Sequence, residues 1–328
     1  MKRNRYFVIL GSVAGIFMLI IDGQTALTGA SEGIELCIKT VVPSLFPFFV
    51  LSSMLTSSLM GTSIGLLRPF FHCLGVPSGA ESLVVTAFLG GYPVGTQSVA
   101  SAYRAGVLTK NTAQRMLAFC NNAGPSFLFG MVSSVFPDRR MVWMLWAIHI
   151  LGAIFAALMI PNEDSAPARP VKGQVLNLST AIVSSIRVMA VVCAWIVLFR
   201  ILIAFLNRWF LWLLPTSLQV AIMGVLELAN GCCSLEQIVD VNLRFVICSG
   251  MLAFGGICVT MQTVSVTGVS LKQYFLGKAI QTAFSVIAAA SVCMTPSKYT
   301  IVPMMLILTV LFLLQISKKR CIPQKTIV

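Results

Sequence analysis

Three clusters of polar and helix-breaking residues interrupt apolar segments of this chain, at places where they could bind a small molecule. They are Gly91-Tyr92-Pro93-Val94-Gly95-Thr96-Gln97, Asn121-Asn122-Ala123-Gly124-Pro125-Ser126 and Glu227-Leu228-Ala229-Asn230-Gly231. Because proline removes a backbone donor and glycine loosens a helix, each cluster predicts a half-helix that starts within the apolar layer. The start of a half-helix carries free N–H groups and a positive dipole end. The predicted chemistry is therefore binding of a small anion.

Most of the candidate substrate-binding residues come from these clusters. Gln262 joins them because it lies eight residues after Phe254, where a polar side chain would reach the same cavity if two halves of the chain pack face to face. The candidate set is Gly91, Tyr92, Pro93, Gly95, Thr96, Gln97, Asn121, Asn122, Ser126, Glu227, Asn230 and Gln262.

Each cluster also has a purely structural interpretation. The Gly91-x-x-x-Gly95 spacing is typical of close helix packing, and the amides of Asn121-Asn122 could hydrogen-bond one helix to another. Glu227, a carboxylate in an apolar segment, could carry a coupled proton or form an ion pair with Arg187 or Arg200. The sequence leaves these alternatives open.

The sequence contains no convincing catalytic constellation. Gly61-Thr62-Ser63-Ile64-Gly65 fits Gly-x-Ser-x-Gly, but that motif acts at a strand-to-helix elbow of a soluble sheet. His72 and His149 have no ligand at metal spacing, and the ten cysteines include no Cys-x-x-Cys pair. We therefore expect no enzyme activity, no metal ion and no other cofactor.

The composition places these clusters in membrane helices. Hydrophobic residues make up 57% of the chain and charged residues 10%, with a mean hydropathy of +0.91. Near-continuous apolar runs of helix-span length, without the alternation of barrel strands, occur at Tyr6–Ile21, Met141–Ile160, Met189–Leu206 and Ile301–Ile316. The sequence predicts an all-α, polytopic membrane helix bundle surrounded by the lipid bilayer.

The basic residues indicate topology rather than nucleic-acid binding. The net charge of +13 is spread over span ends and short loops, which is typical of the positive-inside rule and of contacts with anionic lipid. Clusters at Lys2-Arg3-Asn4-Arg5 and Lys318-Lys319-Arg320 predict that both ends of the chain are cytoplasmic. The first apolar run could be a membrane anchor or a signal peptide.

Two features recur in the same order and predict an internal duplication. Met116-Leu117-Ala118-Phe119 returns as Met251-Leu252-Ala253-Phe254, an offset of 135 residues, and about the same offset separates the Tyr92 and Glu227 clusters. We interpret the chain, 1–328, as a single membrane domain with two related, inverted repeats and broken or re-entrant helices. The first repeat is 34–160, the polar linker 161–177 and the second repeat 178–295, with a last span and basic tail at 296–328.

Proline also predicts an irregular helix near the start of the first repeat. A long helix is expected over Ile34–Ser58, after a polar interval, with a kink or break at Pro43 and Pro47. Backbone groups released there need partners, so this part of the helix should face protein or water rather than lipid.

Together with two further segments, these clusters resemble the sporulation integral membrane proteins of the YlbJ type, within the nucleoside-recognition or Gate superfamily. The two segments are Pro43-Ser44-Leu45-Phe46-Pro47-Phe48-Phe49 and Phe254-Gly255-Gly256-Ile257-Cys258-Val259-Thr260-Met261-Gln262. The similarity covers about residues 5–315. It implies a fold similar to that of the concentrative nucleoside transporters. It also implies a permease that moves dipicolinic acid across the outer forespore membrane of an endospore-forming bacterium.

This chain departs from the family pattern at Thr96-Gln97, where the pattern has a small residue followed by lysine. A cation that could face an anionic substrate is therefore missing at this position. The alternatives are a permease for a nucleoside or for a small organic anion other than dipicolinate, and a non-transporting scaffold or assembly factor for spore formation. The membrane is expected to be the cell membrane or the outer forespore membrane. A homo-oligomer is compatible with each of them.

Overall fold

The structure is a computed structural model that describes residues 2–59, 65, 68–161 and 176–294 of the 328-residue chain. Within these ranges every regular element is a helix. In the described part of the chain, five helical segments are long and apolar enough to cross a membrane: Gly23–Leu59, Arg139–Met159, Leu178–Trp209, Val241–Thr267 and Lys272–Met294. The prediction of an all-α, polytopic helix bundle is confirmed.

Several predicted features lie outside the described residues. They are the span at Ile301–Ile316 with the rest of the tail after residue 294, residues 162–175 of the polar linker, and residues 61–64 of the Gly-x-Ser-x-Gly motif.

The first half of the chain forms helices α1 to α9. Their bounds are α1 Lys2–Ile21, α2 Gly23–Leu36, α3 Val42–Leu59, α4 Arg68–Cys73, α5 Glu81–Gly90, α6 Val94–Arg104, α7 Lys110–Cys120, α8 Pro125–Gly130 and α9 Arg139–Met159. A π-helical turn, Cys37–Val41, joins α2 to α3, and a 3₁₀ turn, Val132–Val135, follows α8.

The second half forms helices α10 to α15. Their bounds are α10 Leu178–Trp209, α11 Thr216–Leu226, α12 Leu228–Ser234, α13 Val241–Phe254, α14 Gly256–Thr267 and α15 Lys272–Met294. In both halves a long helix is followed by two pairs of short helices and then by one uninterrupted helix, and the first half has the short helix α4 in addition. This order is the one expected of a duplicated chain, but the duplication and the inverted relation between the repeats stay predictions.

The long helix of the first half begins earlier than the sequence predicts. We expected a polar interval before a helix at Ile34, but the helix starts at Gly23. Asp22 explains the difference, because its carboxylate accepts the N–H of Thr25 at 3.2 Å and so caps the helix.

The kink expected at the two prolines takes the form of the π-helical turn just before Pro43. Proline cannot donate to the carbonyl four residues earlier, and a wider turn accommodates this loss without breaking the helix. Ser44 donates to the carbonyl of Thr40 at 2.7 Å. The helix then continues through Pro47.

Two close helix contacts hold the halves together. The first is between α2 and α10, where a Cβ added at Gly29 would lie 2.9 Å from the Cβ of Ala204. The second is made by α15, which packs on α7, α9 and α13. Gly277 lies against the backbone of Ala118 at this contact, so small residues allow α15 to approach α7 closely.

Candidate functional site

Four of the helix pairs are interrupted helices, and three of the interruptions fall in the three predicted clusters. The break between α5 and α6 contains a cis peptide bond before Pro93, and α8 begins at Pro125 after an irregular segment. Glu227 is extended between α11 and α12, with φ −144° and ψ 119°. Gly255 separates α13 from α14 with a φ of 85°, a conformation that favours glycine.

The four breaks meet in one region. A Cβ added at Gly91 would lie 2.4 Å from the backbone nitrogen of Gly124, so the first two breaks touch through bare backbone. The hydroxyl of Tyr92 donates to the carbonyl of Leu252 at 2.8 Å, which joins the first break to the fourth. A Cβ at Gly256 would lie 3.4 Å from the nitrogen of Leu228, so the fourth break also adjoins the third.

A cavity of about 40 Å³ lies where the breaks converge, and we call it the central cavity. Four predicted site residues line it: Tyr92, Ser126, Glu227 and Gln262. Apolar side chains of α3, α8, α10 and α14 complete the lining, among them Leu45, Phe127, Val192, Ile196 and Val259. This volume has room for about three water molecules, so an organic substrate would require the cavity to widen.

Glu227 is the acidic residue among those that line the central cavity, and its side chain caps α12. Its carboxylate accepts the backbone N–H of Ala229 at 3.1 Å and that of Asn230 at 2.7 Å. The side-chain amide of Asn230 donates to the same carboxylate at 2.7 Å. The free N–H groups at the start of α12, which we expected to bind an anion of the substrate, therefore already bind a carboxylate of the protein.

The alternative in which Glu227 forms an ion pair with Arg187 or Arg200 is not what the structure shows. Arg200 instead contacts Glu32 of α2 at 2.5 Å, on the more exposed side of the α2–α10 contact. Among the described residues Glu227 has no cation within 4 Å. Instead, the carboxylate of Glu227 accepts hydrogen bonds from three N–H donors of α12.

Asn121 and Asn122 are fully buried but do not line the central cavity. The amide of Asn121 donates to Thr263 at 3.0 Å, and its side-chain oxygen has no partner. The amide of Asn122 donates to the carbonyl of Phe119 at 2.6 Å, and its oxygen accepts from Gln281 at 3.0 Å. These amides therefore stabilise the break and its contact with the second half, as the structural interpretation predicted.

The remaining predicted residues surround this region. Gly95 packs on the carbonyl of Cys120, and Thr96 lies 3.5 Å from the hydroxyl of Thr263. Gln97 points instead into a second cavity of about 200 Å³. This second cavity lies between α3, α6 and α10, and we call it the hydroxyl-lined cavity. Seven of its lining residues carry a hydroxyl group: Ser53, Thr56, Ser57, Ser98, Ser101, Ser184 and Ser185.

Lys278 is the important residue that sequence reasoning missed. It is 1% exposed on α15 and donates to the backbone carbonyl of Asn121 and, at 3.1 Å, to the side-chain oxygen of Gln281. Its ammonium group also lies 5.6 Å from the centre of the Tyr92 ring. The available signal was a lysine within the apolar segment Tyr274–Cys293, since an intramembrane cation is itself a functional candidate.

His149 makes a polar contact with the α7–α8 break. Its Nε2 accepts the backbone N–H of Ala123 at 3.0 Å, within the break between α7 and α8. Gln281 donates to the backbone carbonyl of the same histidine at 3.2 Å. Helices α9 and α15 thus supply polar partners to a backbone segment that leaves the helical ladder.

Comparison with known proteins gives one clear relative. No family model and no solved structure matches the chain. The chain is 24% identical over 313 aligned residues to the sporulation integral membrane protein YlbJ of Bacillus subtilis (strain 168), covering 80% of this chain and 76% of the relative. With its five helices of span length, this makes the chain a multi-pass integral membrane protein. The predicted resemblance to the sporulation integral membrane proteins of the YlbJ type is confirmed.

Proposed function

We propose that this protein is a membrane permease that acts in sporulation and moves a small organic anion, dipicolinate, across the outer forespore membrane. The observation that carries the proposal is the convergence of four interrupted helices on a cavity that contains a carboxylate. Non-helical backbone at membrane depth is tolerated only where protein or a water-filled cavity surrounds it. Interrupted helices around a midplane site are typical of secondary transporters.

The two cavities support a route through the protein. On α3 the central cavity contacts Leu45 and the hydroxyl-lined cavity contacts Phe49, one helical turn further along. On α10 the corresponding side chains are Val192 and Val188. The cavities therefore follow one another along a seam between α3 and α10, with apolar side chains between them.

The seam also suggests which cavity faces the cytoplasm. The hydroxyl-lined cavity reaches Ser57, near the end of α3, and Leu176, just before α10. If the basic N-terminus is cytoplasmic and α1 crosses the membrane, α3 runs back towards the cytoplasm. We propose that a solute enters the hydroxyl-lined cavity from that side and reaches the central cavity when the apolar side chains separate.

Glu227 sets a condition on the solute. A carboxylate on the central cavity repels a dianion unless the carboxylate binds a proton, so we propose that Glu227 is the proton-coupling group. The same observation supports a second candidate function. No lysine or arginine lines the central cavity in the described part of the chain, which favours a neutral polar solute such as a nucleoside.

Uptake into vesicles that contain the purified protein tests the proposal and separates the two candidates. Labelled dipicolinate should accumulate, and a labelled nucleoside should not. The variant Glu227→Gln should lose uptake driven by a proton gradient, whereas Glu35→Gln, which alters an exposed pair with Lys39, should retain it. Nucleoside uptake alone would favour the second candidate, and uptake of neither solute would favour a scaffold.

A further inference from the structure

Lys278 occupies the position where a membrane protein with a broken helix could bind a free cation. Helix α7 ends at Cys120, so the negative end of its dipole and its last carbonyls point towards the break. Carbonyls at such unwound positions coordinate Na⁺ in secondary transporters. Here the carbonyl of Asn121 accepts a hydrogen bond from the Lys278 ammonium group instead.

The groups around Lys278 are those that would surround an alkali cation. They are the carbonyl oxygen of Asn121, the amide oxygen of Gln281 at 3.1 Å and the face of the Tyr92 ring. The ion pairs among the described residues involve Lys39, Arg200 and Arg208, so Lys278 forms none of them. Its charge is therefore balanced by oxygen dipoles rather than by a carboxylate.

Lys278 also connects α15 to two of the helix breaks, as a cation bound from solution could do. It extends from α15 to the α7–α8 break, and its ammonium group lies over Tyr92 of the α5–α6 break. Tyr92 lines the central cavity, so the cation is one side chain away from the proposed solute site. A covalently attached cation forms this bridge without binding an ion from solution, and it cannot cross the membrane with the solute.

We infer that Lys278 is a built-in cation that replaces a bound Na⁺ at the α7–α8 break, so that transport by this protein does not require Na⁺. The inference deepens the proposed function and rests on it for the statement about transport. The statement about the cation site can be tested without transport, because a ligand that binds only the folded protein raises its Tm.

The experiment compares the full-length purified protein with Lys278→Ala and Lys278→Arg in NaCl, KCl and choline chloride at equal ionic strength. The matched control is Lys272→Ala, which removes an exposed cation from the start of the same helix. The wild-type protein, Lys278→Arg and the control should have the same Tm in all three salts. Lys278→Ala should have a lower Tm in choline chloride and regain part of the loss in NaCl only.

Dipicolinate uptake in the same salts provides the second measurement. The wild-type protein should transport equally in all three, and Lys278→Ala should lose about tenfold in choline chloride because a charge-assisted hydrogen bond is missing. A Na⁺-specific rise in wild-type Tm or uptake would overturn the inference, even if Lys278→Ala fails to fold. An equal response of Lys278→Ala and the wild-type protein to the salts would also overturn it. Absence of uptake by every protein in every salt would contradict the proposed function, while the Tm comparison would still decide the role of Lys278.

Discussion

Both the break between α11 and α12 and the break between α7 and α8 place a charged side chain against a helix end. At the first break the side chain belongs to the break itself, whereas at the second it comes from another helix. Glu227 caps the helix that begins at the next residue. Lys278 approaches Asn121 from a position 157 residues later in the chain. In each case the sign of the charge complements the helix end, an anion at an N-terminus and a cation at a C-terminus.

The cap at Glu227 is therefore a local interaction, and the contact of Lys278 is a tertiary one. The cap made by Glu227 stays intact wherever α12 moves, because all its donors belong to α12. The contact of Lys278 exists only while α15 is packed on α7. We therefore expect the α7–α8 break to stay with α15 during a conformational change, and the α11–α12 break to be free to move as a unit.

The largest expected effect concerns the tight backbone contact of the first half. In Gly95→Ala the new Cβ would lie 2.0 Å from the carbonyl oxygen of Cys120, so the two breaks would have to separate. A loss of more than about 4 kcal/mol is expected, enough to prevent folding. Gly256→Ala, whose nearest neighbour is 3.3 Å away, should cost about 1–2 kcal/mol for its positive φ. Size-exclusion profiles and Tm values check this order, and equal stability of the two variants would contradict it.

The second prediction tests local against tertiary stabilisation by amide hydrogen exchange. Glu227→Ala should increase exchange in α12 and leave distant helices unchanged, because the lost hydrogen bonds are local. Lys278→Ala should increase exchange both near Asn121 and in α15, because it removes a contact between them. A change confined to α15 in the lysine variant would show that the two regions are not coupled through this side chain.

The third prediction compares the two asparagines of the α7–α8 break. Asn122→Ala leaves the carbonyl of Phe119 and the amide of Gln281 without this partner, so a loss of about 1–3 kcal/mol is expected. Asn121→Ala should cost less, because its side-chain oxygen is already unpaired. Both variants should insert into the membrane but fail to transport. Normal dipicolinate content in spores that carry either variant would show that transport does not require that side chain.

The smallest effect is expected for the ion pair between Arg200 and Glu32. Glu32→Gln removes the partner of Arg200 at a partly exposed position, so a loss below about 1 kcal/mol is expected. Transport should be unchanged, because Arg200 does not contact Glu227 in this structure. A loss of transport as large as that of Glu227→Gln would instead connect this pair to the central cavity.

The helix breaks could be predicted because their causes are local. Pro93, Pro125 and Gly255 disturb a helical ladder by their own chemistry, whatever surrounds them. The start of the long helix at Gly23 was missed, although the cap at Asp22 is also local, because the polar residues after it suggested a loop. Glu227 and Gln262 were placed in one cavity from their polarity in apolar segments, and both line the central cavity.

The sequence by itself determined that this chain lies in a membrane, that its helices are interrupted at particular residues and which carboxylate lies at one interruption. These properties follow from composition and from the backbone preferences of neighbouring residues. Only the tertiary structure decided that Asn122 stabilises a break, that Arg200 pairs with Glu32 and that Lys278 reaches Asn121. Such partners are far apart along the chain, and buried polar groups take whichever donor or acceptor the helix packing brings within reach.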